Sequence, residues 1–227
     1  MSGRLRLILF DVDGTLVDSQ GDIVAAMTAA FAAQGLDAPE RSEILSIVGL
    51  SLEVAIPRLA PALDPARQMA MVQGYKDAYM VLRAKSGAAE SSPLYPGARA
   101  ALDRLSQRPE NILGVATGKS RRGLDKLLEG HGLQRMFTTQ QVSDHHPSKP
   151  HPSMIHTALT EAGVEATDAV MIGDTSFDME MARAAGVAAI GVSWGYHPLD
   201  ALGAAHHIIE DFGALDGALE ALWEGTR

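Results

Sequence analysis

Continuous apolar runs alternate with amphipathic helical patterns along most of this chain. Such runs predict strands that are buried on both faces, because a half-exposed strand alternates apolar with polar residues. They occupy residues 7–10, 112–116, 169–172 and 187–192, and shorter strands are expected at 137–139 and 208–209. Apolar residues at helical spacing predict helices at 97–108, from 120 onward, and at 151–162, 176–185 and 214–223. Repeated βα units of this kind predict an α/β fold with a doubly wound parallel sheet.

Residues 18–92 interrupt the alternation of strands and helices. Helical patterns without an intervening strand run over 22–34, 40–48 and 65–85. We therefore expect two domains. Residues 1–17 and 93–227 would form the sheet-containing core, and residues 18–92 would form an inserted helical domain.

Two carboxylates follow the first buried strand. Asp11 and Asp13 stand two positions apart and precede Gly14, which lets the backbone turn sharply. In an open parallel sheet, ligands bind at the carboxyl ends of the strands. One interpretation is a nucleophile beside an acid/base group at a metal site. The other is an ordinary Asp-Gly turn after a strand.

Three later motifs favour the first interpretation. They are TGK at 117–119, SKPHP at 148–152 and GDTSFD at 173–178. Each motif alone also fits a helix cap, a Pro-rich loop or an Asp-containing turn. Each of the three motifs stands at the end of a predicted strand or at the start of a predicted helix. Their joint occurrence therefore indicates one site.

Together with DVDGT at 11–15, these motifs give a chain that resembles the haloacid dehalogenase-like hydrolase superfamily, specifically its phosphoglycolate-phosphatase-like branch. The resemblance runs over nearly the whole chain. Its mild departure is Ser148, where a Gly often precedes the lysine. The resemblance implies a Rossmann-like core with an inserted four-helix cap. It also implies a phosphatase that forms an aspartyl-phosphate intermediate.

The resemblance places a Mg²⁺ site at the strand ends. Asp11 would be both nucleophile and metal ligand, and Asp13 would be the acid/base and bind the metal through its backbone carbonyl. Asp174 would supply a second carboxylate, and Asp178 would act indirectly or through water. Oxygen ligands without His or Cys at matching positions suit Mg²⁺ rather than zinc.

The resemblance also assigns the substrate contacts. Thr117, Gly118 and Lys149 would hold the phosphate oxygens, and Thr117 and Lys149 would thereby be catalytic. Gly49 and Ser51 lie in a predicted loop between two helices of the insertion, and this loop is the candidate for substrate selection.

For several other residues, two interpretations of their role stay open. Cations that could recognise a substrate carboxylate, or could equally be solvated surface charges, are Arg58, Arg67, Arg83, Lys119, Arg121 and Arg122. The segment 194–197 would line the mouth of the site, or Trp194 would pack in the core. The pairs at 145–146 and 206–207 are predicted to be solvated histidines rather than metal ligands.

Composition narrows the class of protein. The formal net charge of −9, without a basic block, argues against a nucleic-acid partner. The absence of cysteine excludes disulfides, thiolate metal sites and a cysteine nucleophile. No apolar run approaches the ~20 residues that span a bilayer, and the N-terminus lacks a signal-peptide pattern. We expect a cytoplasmic monomer or homodimer that acts on a small phosphorylated metabolite and binds neither nucleic acid nor membrane.

Two further functions fit the same motifs. A sugar phosphomutase of the β-phosphoglucomutase type would share all four of them, and a catalytically idle binding protein could keep the fold. Asp13 argues against dehalogenases and phosphonate hydrolases of the superfamily, because both lack an aspartate there. The intact Asp11, Asp13, Lys149 and Asp174 argue against an idle protein.

Overall fold

The computed structural model describes residues 4–224, and its central element is a parallel sheet of six strands. The strands are β1 (Arg6–Phe10), β2 (Asn111–Thr117), β3 (Thr139–Val142), β4 (Ala169–Gly173), β5 (Ala188–Val192) and β6 (His207–Ile209). Their spatial order is β3-β2-β1-β4-β5-β6. The sheet therefore grows outward in both directions from β1, which confirms the predicted doubly wound α/β fold.

Ten α-helices lie within the described residues. They are α1 (Gln20–Ala33), α2 (Arg41–Leu45), α3 (Leu52–Leu59), α4 (Pro65–Ser86), α5 (Ala88–Ser91), α6 (Ala98–Ser106), α7 (Arg121–His131), α8 (Ser153–Ala162), α9 (Ser176–Ala184) and α10 (Leu215–Glu224). The first five follow one another between β1 and β2, and we call them the insertion helices. The other five alternate with the strands, except that no α-helix of the described residues separates β5 from β6.

The side chains of β1 explain why the sheet is covered on both faces. Leu7 and Leu9 point into one apolar cluster, and Ile8 and Phe10 point into another, since successive strand residues face opposite sides. Helices α6, α7 and α10 contribute to the cluster around Phe10, whereas α8 and α9 contribute to the cluster around Leu9. All four β1 side chains are fully buried.

The insertion helices have an apolar cluster of their own. Helices α1 and α4 supply much of it, through residues that include Met27, Phe31 and Met71. Helix α4 begins where Asp64 accepts hydrogen bonds from the backbone N–H groups of Ala66 and Arg67, both at 3.0 Å. This cap satisfies donors that the first turn of any helix leaves unpaired.

Three elements differ from the sequence prediction. The strand expected at 137–139 lies at Thr139–Val142 instead, because β3 is an edge strand that pairs only with β2 and tolerates the polar Gln140 and Gln141. Helices α3 and α5 lie outside the predicted helical ranges, and Pro57 inside α3 is a residue that normally argues against a helix. Residues 1–3 and 225–227 of the predicted core lie outside the described residues.

Candidate active site

The site begins where β1 ends in the middle of the sheet. Asp11 is only 1% exposed, and its backbone N–H donates to the carbonyl of Ile172 in β4 at 2.9 Å. Asp174 and Asp178 come from the loop after β4 and the first turn of α9. Because β1 and β4 are parallel neighbours, their following loops meet at one edge of the sheet.

Three buried carboxylates and a buried ammonium converge there. One carboxylate oxygen from each of Asp11, Asp174 and Asp178 lies within 4.8 Å of the others. Lys149 Nζ donates to Asp11 Oδ1 at 2.8 Å and to Asp178 Oδ1 at 2.6 Å. The Lys149 side chain is fully buried. A lysine at this depth is stable as a cation because it is paired on both sides.

Burial and mutual repulsion dominate the electrostatics of this cluster. Burial raises the pKa of Asp11 to about 7, against the attraction of Lys149 and with the added repulsion of Asp178. Burial also raises the pKa of Asp174, and Asp11 and Asp178 add to the rise. Burial alone would lower the pKa of Lys149, but the two carboxylates that it bridges hold it above its ordinary value. The cluster therefore carries more buried negative charge than its lysine offsets.

A hard divalent cation fits this donor set. Asp11 Oδ2 is buried and has no hydrogen-bond partner among the described residues. Carboxylate oxygens are the ligands that Mg²⁺ prefers, and a divalent cation would offset the excess negative charge. The residues present are therefore suited to Mg²⁺.

The loop after β5 holds Asp174 in place. Asp174 Oδ2 accepts from the backbone N–H of Tyr196 at 2.8 Å, and Asp174 Oδ1 accepts from the Thr15 hydroxyl at 2.9 Å. Gly14 lies against the same carboxylate with φ of 88°, so a side chain there would collide with it. Gly14 of the first motif thus leaves the space that the Asp174 carboxylate of the last motif occupies.

Asp178 is fixed by the start of α9. Its Oδ2 accepts from the backbone N–H of Thr175 at 3.1 Å and from the Thr175 hydroxyl at 2.7 Å. Thr175 and Asp178 form a reciprocal capping box at the first turn. Since Lys149 occupies Oδ1, both oxygens of Asp178 accept hydrogen bonds. This arrangement supports an indirect role for Asp178.

The carboxylate of Asp13 belongs to a separate network. Asp13 Oδ1 accepts from Ser19 Oγ at 2.5 Å and from Lys119 Nζ at 2.8 Å. The hydroxyl of Tyr196 accepts from the backbone N–H of Ser19 at 2.9 Å and lies 3.2 Å from Ser19 Oγ. Burial alone would raise the pKa of Asp13, but Lys119, Ser19 and Arg83 hold it below its ordinary value.

A cleft of about 1080 Å³ opens between the insertion helices and the sheet. Asp11 and Asp13 line it, together with Thr117, at the end of β2, and Gly118. Gly49 and Ser51 line the same cleft from the loop before α3, as do residues of α4. The cleft is large enough for a small-molecule substrate.

Two contacts join the loop before α3 to the core. A Cβ atom on Gly118 would come within 2.5 Å of the carbonyl oxygen of Gly49, so the two backbones approach as only glycine permits. The backbone N–H of Ser51 donates to Ser148 Oγ at 2.9 Å. The mild departure from the usual motif, Ser148, thereby supplies an acceptor that a glycine side chain lacks.

The structure thus brings together residues from all four motifs. Asp11, Lys149, Asp174 and Asp178 form the buried cluster, and Thr117 lies beside it on the cleft wall. The sequence assigned no role to the supporting residues Thr15, Ser19, Thr175 and Tyr196, although Tyr196 lies in the 194–197 segment expected at the mouth of the site. Thr15 and Thr175 lie inside the motifs, but no local pattern marks the others, which come close only through the fold.

The structure corrects the prediction for His146 and decides between the two alternatives for Trp194. His146 is not a solvated histidine, because its ring nitrogens lie 2.9 Å from Ser153 Oγ and 2.8 Å from Gln141 Oε1. Trp194 packs against Phe212 and donates from Nε1 to the carbonyl of Thr15 at 3.1 Å. The 194–197 segment therefore supports the aspartate loops.

Arg83 makes contacts that a solvated surface charge lacks. It is partly buried and donates from Nη1 to the carbonyl of Gly123 at 3.0 Å. Arg58 and Arg67 lie on the exposed surface instead. No helix within residues 4–224 is both long and apolar enough to cross a membrane.

The chain is similar to haloacid dehalogenase-like hydrolases and to proteins named as phosphatases. The sequence model of a family described as haloacid dehalogenase-like hydrolase matches residues 8–192. The probable phosphatase IndB of Dickeya dadantii is 37% identical over 95% of this chain and 94% of that protein. A phosphoglycolate phosphatase of Agrobacterium fabrum is 32% identical over 94% of this chain and 91% of that protein.

A solved structure shares the arrangement of most of the chain. It is a haloacid dehalogenase-like family hydrolase from Streptococcus pneumoniae, which superimposes with a TM-score of 0.81 at 27% identity. The superposition covers 94% of this chain and 98% of that one.

Proposed function

The chain belongs to the haloacid dehalogenase-like hydrolase family, and on this premise we propose that it is a Mg²⁺-dependent phosphatase of a small, phosphoglycolate-like phosphomonoester that works through an aspartyl-phosphate. One observation carries the proposal: a buried lysine, Lys149, joins Asp11 to Asp178 beside Asp174, and Asp11 faces the cleft. Relatives named as phosphatases support the reaction class.

The insertion helices act as a cap over this site. In the proposed division, residues 18–92 form the cap and residues 1–17 and 93–227 form the core. The cleft between them and the separate apolar cluster of the insertion helices support this division. A cytoplasmic location and a monomeric or homodimeric state stay predictions.

The cation would be held by the carboxylates of Asp11 and Asp174 and by the backbone carbonyl of Asp13, with Asp178 in support. When bound, Mg²⁺ would reduce the repulsion between these carboxylates and the phosphate of the substrate. Lys149 fixes the Asp11 carboxylate through Oδ1. Its other oxygen, Oδ2, accepts no hydrogen bond from the described residues.

In the first step, Asp11 attacks the phosphorus of the substrate. A bond forms between a carboxylate oxygen and phosphorus, the bond from phosphorus to the ester oxygen breaks, and Asp13 donates a proton to the leaving oxygen. The Thr117 hydroxyl, the Gly118 backbone N–H and the Lys149 ammonium stabilise the charge on the other phosphate oxygens. The products of this step are the alcohol and the aspartyl-phosphate.

In the second step, water releases the phosphate. Asp13 takes a proton from the water, whose oxygen bonds to phosphorus while the bond to Asp11 breaks. Inorganic phosphate leaves, and Asp11 returns to its carboxylate form. Ser19 and Lys119 lower the pKa of Asp13, which favours the carboxylate form that this step needs and makes protonated Asp13 a stronger acid toward the leaving oxygen in the first step.

Phosphate release from a panel of esters tests the proposal. The panel includes 2-phosphoglycolate, sugar phosphates, nucleoside monophosphates and pyrophosphate, each with Mg²⁺ and with EDTA. Wild type, Asp11→Asn and the exposed control Asp37→Asn are compared. We expect release that requires Mg²⁺, is abolished in Asp11→Asn and persists in Asp37→Asn.

Other outcomes identify the remaining alternatives. Conversion of β-glucose 1-phosphate without net phosphate release, in the presence of its bisphosphate, would identify a mutase. No reaction with any of these compounds would contradict the phosphatase and favour a binding protein on the same fold.

A further inference from the structure

Arg83 lines the cleft, and one edge of its guanidinium group has no hydrogen-bond acceptor among the described residues. Its Nε and Nη2 atoms are buried and have no hydrogen-bond partner among the described residues, while Nη1 donates to the carbonyl of Gly123 at 3.0 Å. Nε and Nη2 lie on the same edge of the planar guanidinium, and their spacing matches the two oxygens of a carboxylate. A buried guanidinium edge without an acceptor is costly, so this edge suits an anion that the substrate brings.

Lys119 lies in the same part of the cleft. Its Nζ atom is 5.2 Å from the centre of the Tyr79 ring, and the guanidinium carbon of Arg83 is 5.4 Å from the same centre. Lys119 Nζ also donates to the Tyr79 hydroxyl at 3.4 Å. All three residues line the cleft. The two cations therefore share an aromatic neighbour that shields them from water.

The contact of Lys119 with Asp13 places Lys119 near the expected position of the leaving oxygen. Lys119 Nζ contacts the carboxylate of Asp13 at 2.8 Å, and in the proposed mechanism Asp13 gives its proton to the leaving oxygen. A group attached one carbon away from that oxygen would therefore lie beside Lys119, within the part of the cleft that Arg83 also faces. A neutral alcohol would leave the guanidinium edge unpaired.

We propose that Arg83, with Lys119, forms a subsite for a carboxylate next to the leaving oxygen, so that the enzyme selects esters of short 2-hydroxy acids. This inference rests on the proposed phosphatase function. It assigns substrate selection to α4 of the cap, in addition to the loop at 49–51. Arg83 binds the carboxylate through Nε and Nη2 and keeps its bond to Gly123.

Binding of non-hydrolysable analogues tests the subsite without requiring turnover. The ligand 3-phosphonopropionate matches 2-phosphoglycolate in shape, and propylphosphonate lacks its carboxylate. Calorimetric titration in Mg²⁺ compares both ligands on wild type, Arg83→Met, Arg83→Lys and the control Arg135→Met, an exposed arginine outside the cleft. We expect Arg83→Met to weaken 3-phosphonopropionate about 10- to 100-fold and to leave propylphosphonate unchanged.

The controls separate recognition from a structural role. Arg83→Lys keeps the positive charge but loses the two-atom edge of the guanidinium, so its loss of affinity for 3-phosphonopropionate should be intermediate. Arg135→Met should resemble wild type. Equal weakening of both ligands would show that Arg83 only supports the fold, and would overturn the subsite. Equal affinity of wild type for the two ligands, or no binding of 3-phosphonopropionate, would overturn it as well.

Turnover distinguishes the two proposals from each other. If wild type binds 3-phosphonopropionate selectively through Arg83 but releases no phosphate from 2-phosphoglycolate, the subsite stands and the phosphatase function fails. If it hydrolyses 2-phosphoglycolate and 2-hydroxyethyl phosphate equally well, the phosphatase stands and the subsite fails.

Discussion

Lys149 Nζ lies 2.8 Å from Asp11 Oδ1, and both side chains are almost completely buried. The lysine reaches this position from the loop before α8, while the aspartate follows the central strand. The same ammonium contacts Asp178 at 2.6 Å. One cation thus neutralises part of the charge of two carboxylates and fixes the orientation of the proposed nucleophile.

Replacing Lys149 tests this relationship. Lys149→Met leaves two buried carboxylates without their cation, so we expect kcat to fall at least about 100-fold. We also expect the free energy of unfolding to fall by about 3–5 kcal/mol. Urea denaturation measures the second effect, with the exposed Lys126→Met as control. Unchanged stability would show that the pair carries no such interaction.

Asp174→Asn should weaken cation binding. A ligand that binds only the folded state raises the melting temperature, so Mg²⁺ should raise that of wild type. The variant should lose most of this rise, because one carboxylate of the cluster becomes neutral. Thermal unfolding at several Mg²⁺ concentrations measures the effect, and Asp37→Asn should keep the full rise. A full rise in Asp174→Asn would remove this residue from the metal site.

Tyr196→Phe should disturb Asp13 without touching the substrate. The Tyr196 hydroxyl holds Ser19, which in turn donates to Asp13 at 2.5 Å. We expect kcat to fall about 10-fold with little change in KM, since a positioning hydrogen bond is worth about 1 kcal/mol or slightly more. Ser19→Ala, which removes the direct donor, should have the larger effect. Steady-state kinetics that show the reverse order would contradict this network.

Gly118→Ala should push the loop at 49–51 away from the core. The added Cβ would meet the carbonyl of Gly49 at 2.5 Å, so we expect kcat/KM to fall about 10-fold or more. The matched control is Gly217→Ala in α10, where a Cβ meets no atom within 4 Å. That control should leave kcat/KM unchanged and slightly stabilise the helix. Similar kinetics for both variants would show that the close approach has no role in turnover.

The sequence predicted the strands whose residues form a continuous apolar run, and it misplaced edge strand β3, whose residues do not. The central β1 is apolar at every buried position, because helices cover both its faces. Edge strand β3 contains Gln140 and Gln141, so its hydrophobic signal is weak and its position was displaced. Helix α3 contains Pro57, which conceals a helix that packing stabilises.

The candidate site divides in the same way. Asp11, Lys149 and Asp174 could be found because each stands in a short motif at the end of an element. Tyr196 lies 177 positions from Ser19, and the free edge of Arg83 depends on how α4 packs against Gly123. Neither relationship leaves a local pattern, since both arise from the tertiary structure.

The most direct test of the central claim is to locate the phosphoryl group during turnover. Wild type is mixed with 2-phosphoglycolate and Mg²⁺, quenched rapidly in acid and digested, and the phosphorylated peptide is identified by mass spectrometry. The account predicts an acyl-phosphate on Asp11 in wild type and none in Asp11→Asn, which should also release no phosphate. A phosphoryl group on another residue, or turnover by Asp11→Asn, would contradict it.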